Sequence, residues 1–406
     1  MSAHGTGAGV DLDAGQVRIP AGHPLARLAP IAFGVGALGL VVALLMARGD
    51  TRSFAFSWLV AFLFTLSIAL GSLYFVLVHT AMQGGWGIVV RRLAENAMAT
   101  IPVFALLLVP ILLFREELFP WIREIAEGKD HLLHWKEPYL NVPFFLTRAV
   151  VYMVVWSAIA LFFFRGSRRQ DATGDHAISV RLRRWSGPAI IALGLTHSFA
   201  AFDWIMSLDP HWYSTIFGVY SFAGSLLAGF SFMTLVLVVL RRYKLLEDLV
   251  GPEHYHDLGK LLFAFTVFWA YIGFSQYFLI WYGNIPEETI FFRHRLEGSW
   301  RAASFLLAAG HFVLPFFFLM PRSIKRRPAT VALGAAWILL MHYLDVTWLV
   351  MPSLHPHGVA FGVADVACLI GFLGIFLGVF VRLTVGAPLV PVKDPRLPES
   401  LGFENI

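Results

Sequence analysis

The chain has 406 residues, of which 58% are hydrophobic and only 14% charged, and its mean hydropathy is +0.69. An ordinary soluble domain carries about 25% charged residues, so this composition excludes a conventional soluble enzyme and indicates a membrane protein. The net charge of +5 gives no support to nucleic-acid binding. With a single cysteine, Cys368, the chain has no intramolecular disulfide and no CxxC motif.

Ten apolar stretches follow one another, each long enough to cross a hydrocarbon core of about 30 Å as a helix. Lipid offers no partners to free backbone N–H and C=O groups, so stretches of this length are predicted to be helices. The predicted spans are 29–47, 54–78, 97–114, 143–164, 187–207, 214–240, 259–282, 300–320, 329–350 and 360–382. The sequence therefore predicts an all-α polytopic membrane protein. Its ten-helix transmembrane domain, 29–382, lies between tails at 1–28 and 383–406, and no removable signal peptide is expected.

Basic residues cluster in alternate predicted loops, whereas the loops after the fifth and ninth spans contain none. The positive-inside rule places the basic loops and both termini in the cytoplasm. These loop residues are Arg165, Arg168, Arg169, Arg181, Arg183, Arg184, Arg241, Arg242, Lys244, Arg322, Lys325, Arg326 and Arg327. Because three spans precede it, the acidic segment Arg115 to Asn141 is predicted to lie on the outer side of the membrane. For its amphipathic part, Leu118 to Ile125, the sequence leaves open a helix on the outer membrane surface and a solvated loop helix.

A weak internal repeat links the ends of the fifth and ninth spans. The shared element is Ser-Leu-x-Pro-His, at Ser207–His211 and again at Ser353–His357. A parallel repeat four helices apart predicts two four-helix bundles, helices 2–5 and helices 6–9. Helices 1 and 10 are then peripheral.

Functional residues are expected where ionisable or polar groups persist inside apolar spans, because a charge at mid-membrane costs at least about 2.5–3.5 kcal/mol. His342 and Asp345 are three residues apart and so lie on one face of the ninth helix. The other candidates for a proton pathway or a quinone site each lie within a predicted span or at its outer end. They are His197, Asp203, Gln276, Tyr277, Arg301, His311 and Asp365.

Each candidate also has a purely structural interpretation. Asp203 and Asp365 lie close enough to predicted helix ends for their carboxylates to reach headgroup water. Arg148 and Arg301 can snorkel to the outer interface. A mid-span histidine can be satisfied by a backbone carbonyl. The sequence is compatible with both the structural and the functional role of these residues.

A haem-binding alternative rests on spacing, since His197 and His211 are 14 residues apart and His342 and His355 are 13 apart. Pro210 immediately precedes His211, and a proline also falls just before His355, so the second histidine of each pair is predicted to lie beyond the helix. Haem b is therefore the weaker alternative. No nucleotide-binding glycine pattern and no zinc spacing appears in the sequence.

Four segments carry a family resemblance. They are YLNVPFFLTRA at Tyr139–Ala149, FDWIMSLDPHWYSTIFGVYSFAGS at Phe202–Ser225, HDLGKLLFAFTVFWAYIGFSQYFLIWYGNIPEET at His256–Thr289 and MHYLDVTWLVMPS at Met341–Ser353. Each resembles the F-type integral membrane subunit of bacterial alternative complex III, a quinol:cytochrome c oxidoreductase. The resemblance implies a ten-helix relative of the polysulfide-reductase membrane anchor (NrfD-like) fold in the bacterial inner membrane. The first 90 residues resemble the family only in their hydropathy.

The same resemblance implies partners that carry the redox centres. These are a multihaem cytochrome c, an iron–sulfur subunit, a larger NrfD-like membrane subunit, a monohaem cytochrome c, small membrane subunits and, in some complexes, a terminal oxidase. This chain is expected to hold no haem c, iron–sulfur cluster or metal of its own, and to support quinol oxidation through a proton pathway. A site for quinone, menaquinone or ubiquinone, remains a second possibility. A free-standing secondary transporter and a purely structural scaffold subunit remain alternatives from other functional classes.

Overall fold

The computed structural model describes residues 17–128 and 130–404. In this part of the chain, ten helical segments have the length and hydropathy needed to cross a membrane. They are α1 (Pro24–Met46), α2 (Thr51–Met82), α3 (Ile88–Leu113), α4 (Val142–Thr173), α5 (His176–Leu208), α6 (Phe217–Arg242), α7 (Pro252–Gly283), α8 (Trp300–Leu319), α9 (Pro328–Ser353) and α10 (Val363–Thr384). The protein is an all-α polytopic membrane protein, as the sequence predicts.

The predicted number of spans is confirmed, but the predicted loop from Arg165 to Arg184 is wrong. Helix α4 continues to Thr173, and α5 already begins at His176. Gly174, with φ of +70°, ends α4, and the Asp175 carboxylate accepts a hydrogen bond from the Ala177 N–H at the start of α5. The basic residues therefore lie on two helices that extend beyond their apolar stretches, because a helix pairs its own backbone groups in water as well as in lipid.

Helix α3 begins nine residues before its predicted start, so the polar sequence RRLAEN at 91–96 belongs to the helix. The helix is interrupted around residues 99–100 and 108. Pro102 and Pro110, which lack a backbone N–H, follow these interruptions closely. Helix α8 also contains an irregular turn, a π-helix over Ala308–Val313 that carries His311.

The ten helices form two bundles and a peripheral pair. Helices α2, α3, α4 and α5 pack around one another, and α6, α7, α8 and α9 form a second ring of contacts. Helices α1 and α10 pack closely together and attach mainly through the contact of α10 with α2. This arrangement matches the division expected from the internal repeat.

The two bundles meet where α2 crosses α6, and glycines bring the backbones into contact. A Cβ atom on Gly71 would lie 1.8 Å from the Ser225 carbonyl oxygen, and one on Gly229 would lie 2.7 Å from the Gly71 carbonyl carbon. Small residues of this kind allow transmembrane helices to approach closely without a hydrophobic driving force. The pair α1 and α10 uses the same device, since a Cβ on Gly374 would lie 2.4 Å from Gly36 Cα.

The described chain ends meet on one face, which we call the terminal face. The Leu389 N–H donates to the Val17 carbonyl over 2.7 Å, and the Gly386 N–H donates to the Ile19 carbonyl over 2.9 Å. Residues 1–16 of the predicted tail 1–28 and residues 405–406 of the predicted tail 383–406 lie outside the described residues.

On the opposite face, the segment between α3 and α4 packs against the protein. It contains three short helices, Arg115–Leu118, Trp121–Glu127 and His131–Lys136, with Leu118 and Trp121 buried. Its far end is held by Lys136, whose Nζ donates to the Pro210 carbonyl over 2.6 Å. The predicted segment Leu118 to Ile125 does contain a helix, which begins at Trp121, and its apolar side packs against the bundle while Arg123 and Glu127 are exposed.

The contact of α2 with α6 predicts that Gly71→Ala destabilises the protein, because one methyl group forces the helices apart. We expect a loss of about 1 to 3 kcal/mol, which is typical of overpacking. The matched control is Gly194→Ala on α5, where a Cβ meets nothing within 4 Å. Thermal unfolding of both variants in detergent tests this, and equal unfolding midpoints would contradict it.

The positive-inside assignment predicts that the terminal face is cytoplasmic. In intact cells, a membrane-impermeant thiol reagent should label Glu287→Cys, on the opposite face, and should leave Thr173→Cys unlabelled until the membrane is opened. Both positions are exposed, and the native Cys368 is buried. The reverse labelling pattern would invert the topology.

Candidate functional site

A small cavity lies between the two bundles, enclosed by α2, α4, α5, α6 and α9; we call it the central cavity. Its volume is about 40 Å³. Its polar wall includes His197, Tyr220, His342 and Asp345, and the remaining lining is largely apolar. Three residues predicted from the sequence on two different helices, His197, His342 and Asp345, are thus brought to one place.

Asp345 is 1% exposed and is held by two neutral donors. The Tyr220 hydroxyl donates to Oδ1 over 2.5 Å, and the Trp269 indole N–H donates to Oδ2 over 3.1 Å. Among the described residues, its ion-pairing partner is a histidine, His342, with Nδ1 3.9 Å from Asp345 Oδ2, and no lysine or arginine pairs with it. Its charge is therefore not fixed by a permanent cation.

The contacts of His342 favour one tautomer. The Ser67 hydroxyl lies 2.6 Å from the Phe64 carbonyl oxygen and 2.9 Å from His342 Nε2. When this hydroxyl donates to the carbonyl it accepts from Nε2–H, and Nδ1 of the neutral ring then carries a lone pair. Within the described residues Nδ1 has no hydrogen-bond partner, and it faces Asp345. This atom is available to accept a proton.

His197 stands on another wall of the central cavity. Its Nδ1 lies 3.2 Å from the Tyr74 hydroxyl, and its Nε2 lies 3.1 Å from the Ser221 hydroxyl. Both partners are hydroxyl groups, which can donate or accept. His197 can therefore change tautomer without losing either contact.

His311 lies behind this group and does not line the cavity. It is fully buried, its ring centroid is 4.1 Å from that of Trp269 and 6.3 Å from that of His342, and neither ring nitrogen has a partner within the described chain. A buried unpaired imidazole is costly, and π-helical turns are frequent at functional sites. We therefore keep His311 with the site, since Trp269 connects it to Asp345.

Asp203 has a different role from Asp345, although both lie near the end of corresponding helices. Arg148 Nε and Nη2 each donate to the Asp203 carboxylate over 2.8 Å, and the Tyr152 hydroxyl donates to it over 2.7 Å. Both charges are buried, so the expectations that Arg148 snorkels and that Asp203 reaches headgroup water are wrong. The two N–H groups of the guanidinium hold the Asp203 carboxylate and so join α4 to α5.

Asp365 is a helix cap. Its Oδ1 accepts from the Ser57 hydroxyl over 2.7 Å, and its Oδ2 accepts from the Gly362 N–H over 2.7 Å at the start of α10. It is buried at 7% exposure and does not reach headgroup water. It lies outside the central cavity.

Three other predicted residues also lie outside the central cavity. Gln276 accepts a hydrogen bond from the Ser214 hydroxyl over 2.9 Å. Tyr277 is half-buried against Phe292. Arg301 is exposed at the start of α8, where its Nε donates to the Leu296 carbonyl.

Sequence reasoning missed a buried charged cluster near the terminal face, at the start of α3. Arg91 contacts Glu95 at 3.0 Å and Asp394 at 2.6 Å, while Arg92 contacts Glu95 at 2.9 Å and also pairs with Asp171. The spacing of Arg91, Arg92 and Glu95, three and four residues apart, was the available signal. It was lost because the predicted span began after them.

A second cavity of about 50 Å³ lies beside this cluster; we call it the terminal-face cavity. Its lining includes His79 at the end of α2, together with Arg91, Glu95 and Asp394. His79 is 6% exposed, and in the described chain both of its ring nitrogens lack a hydrogen-bond partner. Gly87 packs against the ring, since a Cβ there would lie 2.6 Å from His79 Nε2.

Arg295, on the helix Pro286–Leu296 of the opposite face, was also missed. It is 3% exposed and donates to the carbonyls of Trp348 over 3.1 Å and Leu349 over 2.7 Å, at the C-terminal end of α9. Burial lowers its pKa to about 9, so it remains charged at neutral pH. The negative end of the helix dipole and these carbonyls offset the burial of the charge.

The haem alternative does not fit these contacts well. His211 lies 2.5 Å from the Asp130 carboxylate in the segment between α3 and α4, and both nitrogens of His197 have hydroxyl partners. Among the described residues, no three His, Cys, Asp or Glu side chains gather as a metal site.

Comparison with protein-family models and with curated proteins gives no match for this chain. The function must therefore be argued from the residues and their geometry.

The Arg148–Asp203 pair predicts a large and asymmetric effect of mutation. Arg148→Met leaves a buried carboxylate without its cation and should cost about 3 to 5 kcal/mol of stability. Arg148→Met combined with Asp203→Leu removes both charges and should recover much of that loss. Thermal unfolding of the single and double variants in detergent measures both effects. If the double variant is no more stable than the single one, the pair is not the source of the effect.

Proposed function

We propose that this chain is a proton-conducting membrane subunit of a bacterial quinol:cytochrome c oxidoreductase of the alternative complex III type. The observation that carries the proposal is the buried pair of His342 and Asp345 at the central cavity, with no permanent cation beside the carboxylate. Burying such a pair in a membrane is costly, and ionisable groups inside membrane proteins commonly mark proton relays.

The pair can share one proton. His342 Nδ1 presents a lone pair towards Asp345, so a proton that arrives at either group resides on the imidazole or on the carboxyl. Tyr220 and Trp269 hold the carboxylate in place during the exchange. The cavity volume of about 40 Å³ has room for about three water molecules at roughly 10–15 Å³ each. Water there can link the pair to His197 on the other wall.

Helix α2 supplies a sequence of polar steps across the protein. Ser67 contacts His342, Tyr74 contacts His197, and His79 lines the terminal-face cavity. At 1.5 Å per residue these positions are about 10 Å and about 8 Å apart along the helix. The order of the steps supports a route that connects the terminal face with the central cavity.

The volume of the central cavity argues against a quinone or a transported solute at the His342–Asp345 pair. Sites for drug-sized organic ligands occupy about 300 to 1,000 Å³, so the central cavity, at about 40 Å³, does not accommodate a quinone ring or a transported solute. We propose that quinol is oxidised in the larger partner membrane subunit and that the redox centres lie in the cytochrome and iron–sulfur partners. A scaffold subunit would have no need for the His342–Asp345 pair.

Replacing Asp345 by Asn tests the proposal, because Asn keeps the size of the side chain and removes its ability to take up a proton. In the assembled complex we expect coupled proton release to fall by about 10²-fold or more, a typical scale for the loss of a proton-transfer group. The rate of quinol-driven electron transfer should fall together with proton release when the two processes are tightly coupled. Two measurements test this: proton release by vesicles that contain the complex, and quinol turnover by the complex in detergent.

The matched control is Asp365→Asn, which makes the same change at a buried carboxylate outside the central cavity. It should leave proton release per electron unchanged in complexes that assemble. Unchanged proton release in an assembled Asp345→Asn complex would reject the proposal and leave the scaffold role.

A further inference from the structure

A groove separate from both cavities lies between α4 and α5, towards the terminal face. Its volume is about 410 Å³. One part of its lining is apolar, with Ala158, Leu161 and Phe162 on α4. The other part presents the guanidinium groups of Arg165, Arg169 and Arg181.

These three arginines are exposed, and in the described part of the chain none of them forms a hydrogen bond or an ion pair through its side chain. Arg181 lies over the Phe162 ring, 5.4 Å from its centroid. The neighbouring Arg168 points elsewhere, since it donates to Asn96 Oδ1 over 2.9 Å and to the Leu383 carbonyl over 3.0 Å. The groove thus contains three positive charges with no acidic residue in its lining.

The apolar and basic parts lie at different depths. Ala158 is seven residues before Arg165, which corresponds to about 10 Å along the helix towards the centre of the span. Trp185, which is 53% exposed, has its ring centroid 6.4 Å from that of Phe162. Exposed Trp residues are typical of the boundary between hydrocarbon and headgroups. The arginines are therefore placed at headgroup level and the apolar wall at acyl-chain level.

We propose that this groove binds one anionic phospholipid from the membrane leaflet on the terminal face. The phosphate lies among the guanidinium groups of Arg165, Arg169 and Arg181, and an acyl chain lies along Leu161 and Phe162. Guanidinium groups bind phosphate through paired N–H donors. An anionic headgroup is preferred to phosphatidylcholine because choline would add a positive charge beside three others.

The test measures lipid binding to the full-length chain purified in detergent. Native mass spectrometry counts bound phosphatidylglycerol during a titration, with phosphatidylcholine as the comparison lipid. The test variant is Arg165→Gln with Arg169→Gln and Arg181→Gln. The charge-matched control is Arg184→Gln with Arg242→Gln and Arg327→Gln, which are exposed arginines on the same face outside the groove.

We expect one phosphatidylglycerol to bind the wild type and the control, and the groove variant to bind it more than tenfold more weakly, since each basic residue near an anionic lipid contributes about fivefold. Ala158→Trp, which fills the apolar part and keeps all three charges, should weaken binding as well. Equal binding by the groove variant and the control overturns the proposal. Unchanged binding by Ala158→Trp, together with full competition by inorganic phosphate, overturns the lipid assignment and leaves a surface phosphate site.

Discussion

The contact of the α2 and α6 backbones at Gly71 and Gly229 sets the distance between the two bundles, and the central cavity depends on that distance. A side chain at either position would separate the helices that carry Ser67 and Tyr220 into the cavity. Gly224, on the same helix as Gly229, is needed for a second reason, because a Cβ there would lie 2.8 Å from His342 Cε1. Close helix contact therefore leaves a water-sized space beside these polar groups and excludes a larger one.

The two buried carboxylates near the ends of α5 and α9 illustrate how partner residues decide chemistry. Asp203 receives two bonds from Arg148, and this ion pair joins α4 to α5 as part of the framework. Among the described residues, Asp345 receives its hydrogen bonds from the neutral donors Tyr220 and Trp269 and has a histidine at 3.9 Å. The same residue type in related places thus has an arginine partner in one bundle and a tyrosine, a tryptophan and a histidine beside it in the other.

The sequence was sufficient to predict the helices and the His342–Asp345 pair, because hydropathy and the helical period are local properties. It could not predict that Arg148 pairs with Asp203, since the two are 55 residues apart and meet only through packing. It misplaced the start of α3 because charged residues lower local hydropathy even when, like Arg92 and Glu95, they neutralise one another in the interior. Asp365 was also predicted as a site residue. The sequence alone does not show that its carboxylate caps α10, because those hydrogen bonds form only in the folded chain.

The distribution of charge differs between the faces of the protein and its middle. Arginines with buried partners lie towards the faces, with Arg148 and Arg295 at one and Arg91 and Arg92 at the other. The lining of the central cavity contains no lysine or arginine among the described residues. Asp345 therefore differs from Asp203, which has Arg148 beside it. Hydroxyl and imidazole groups, which can donate or accept a hydrogen bond, lie at the centre instead, and the charged pairs near the faces hold the helices in place.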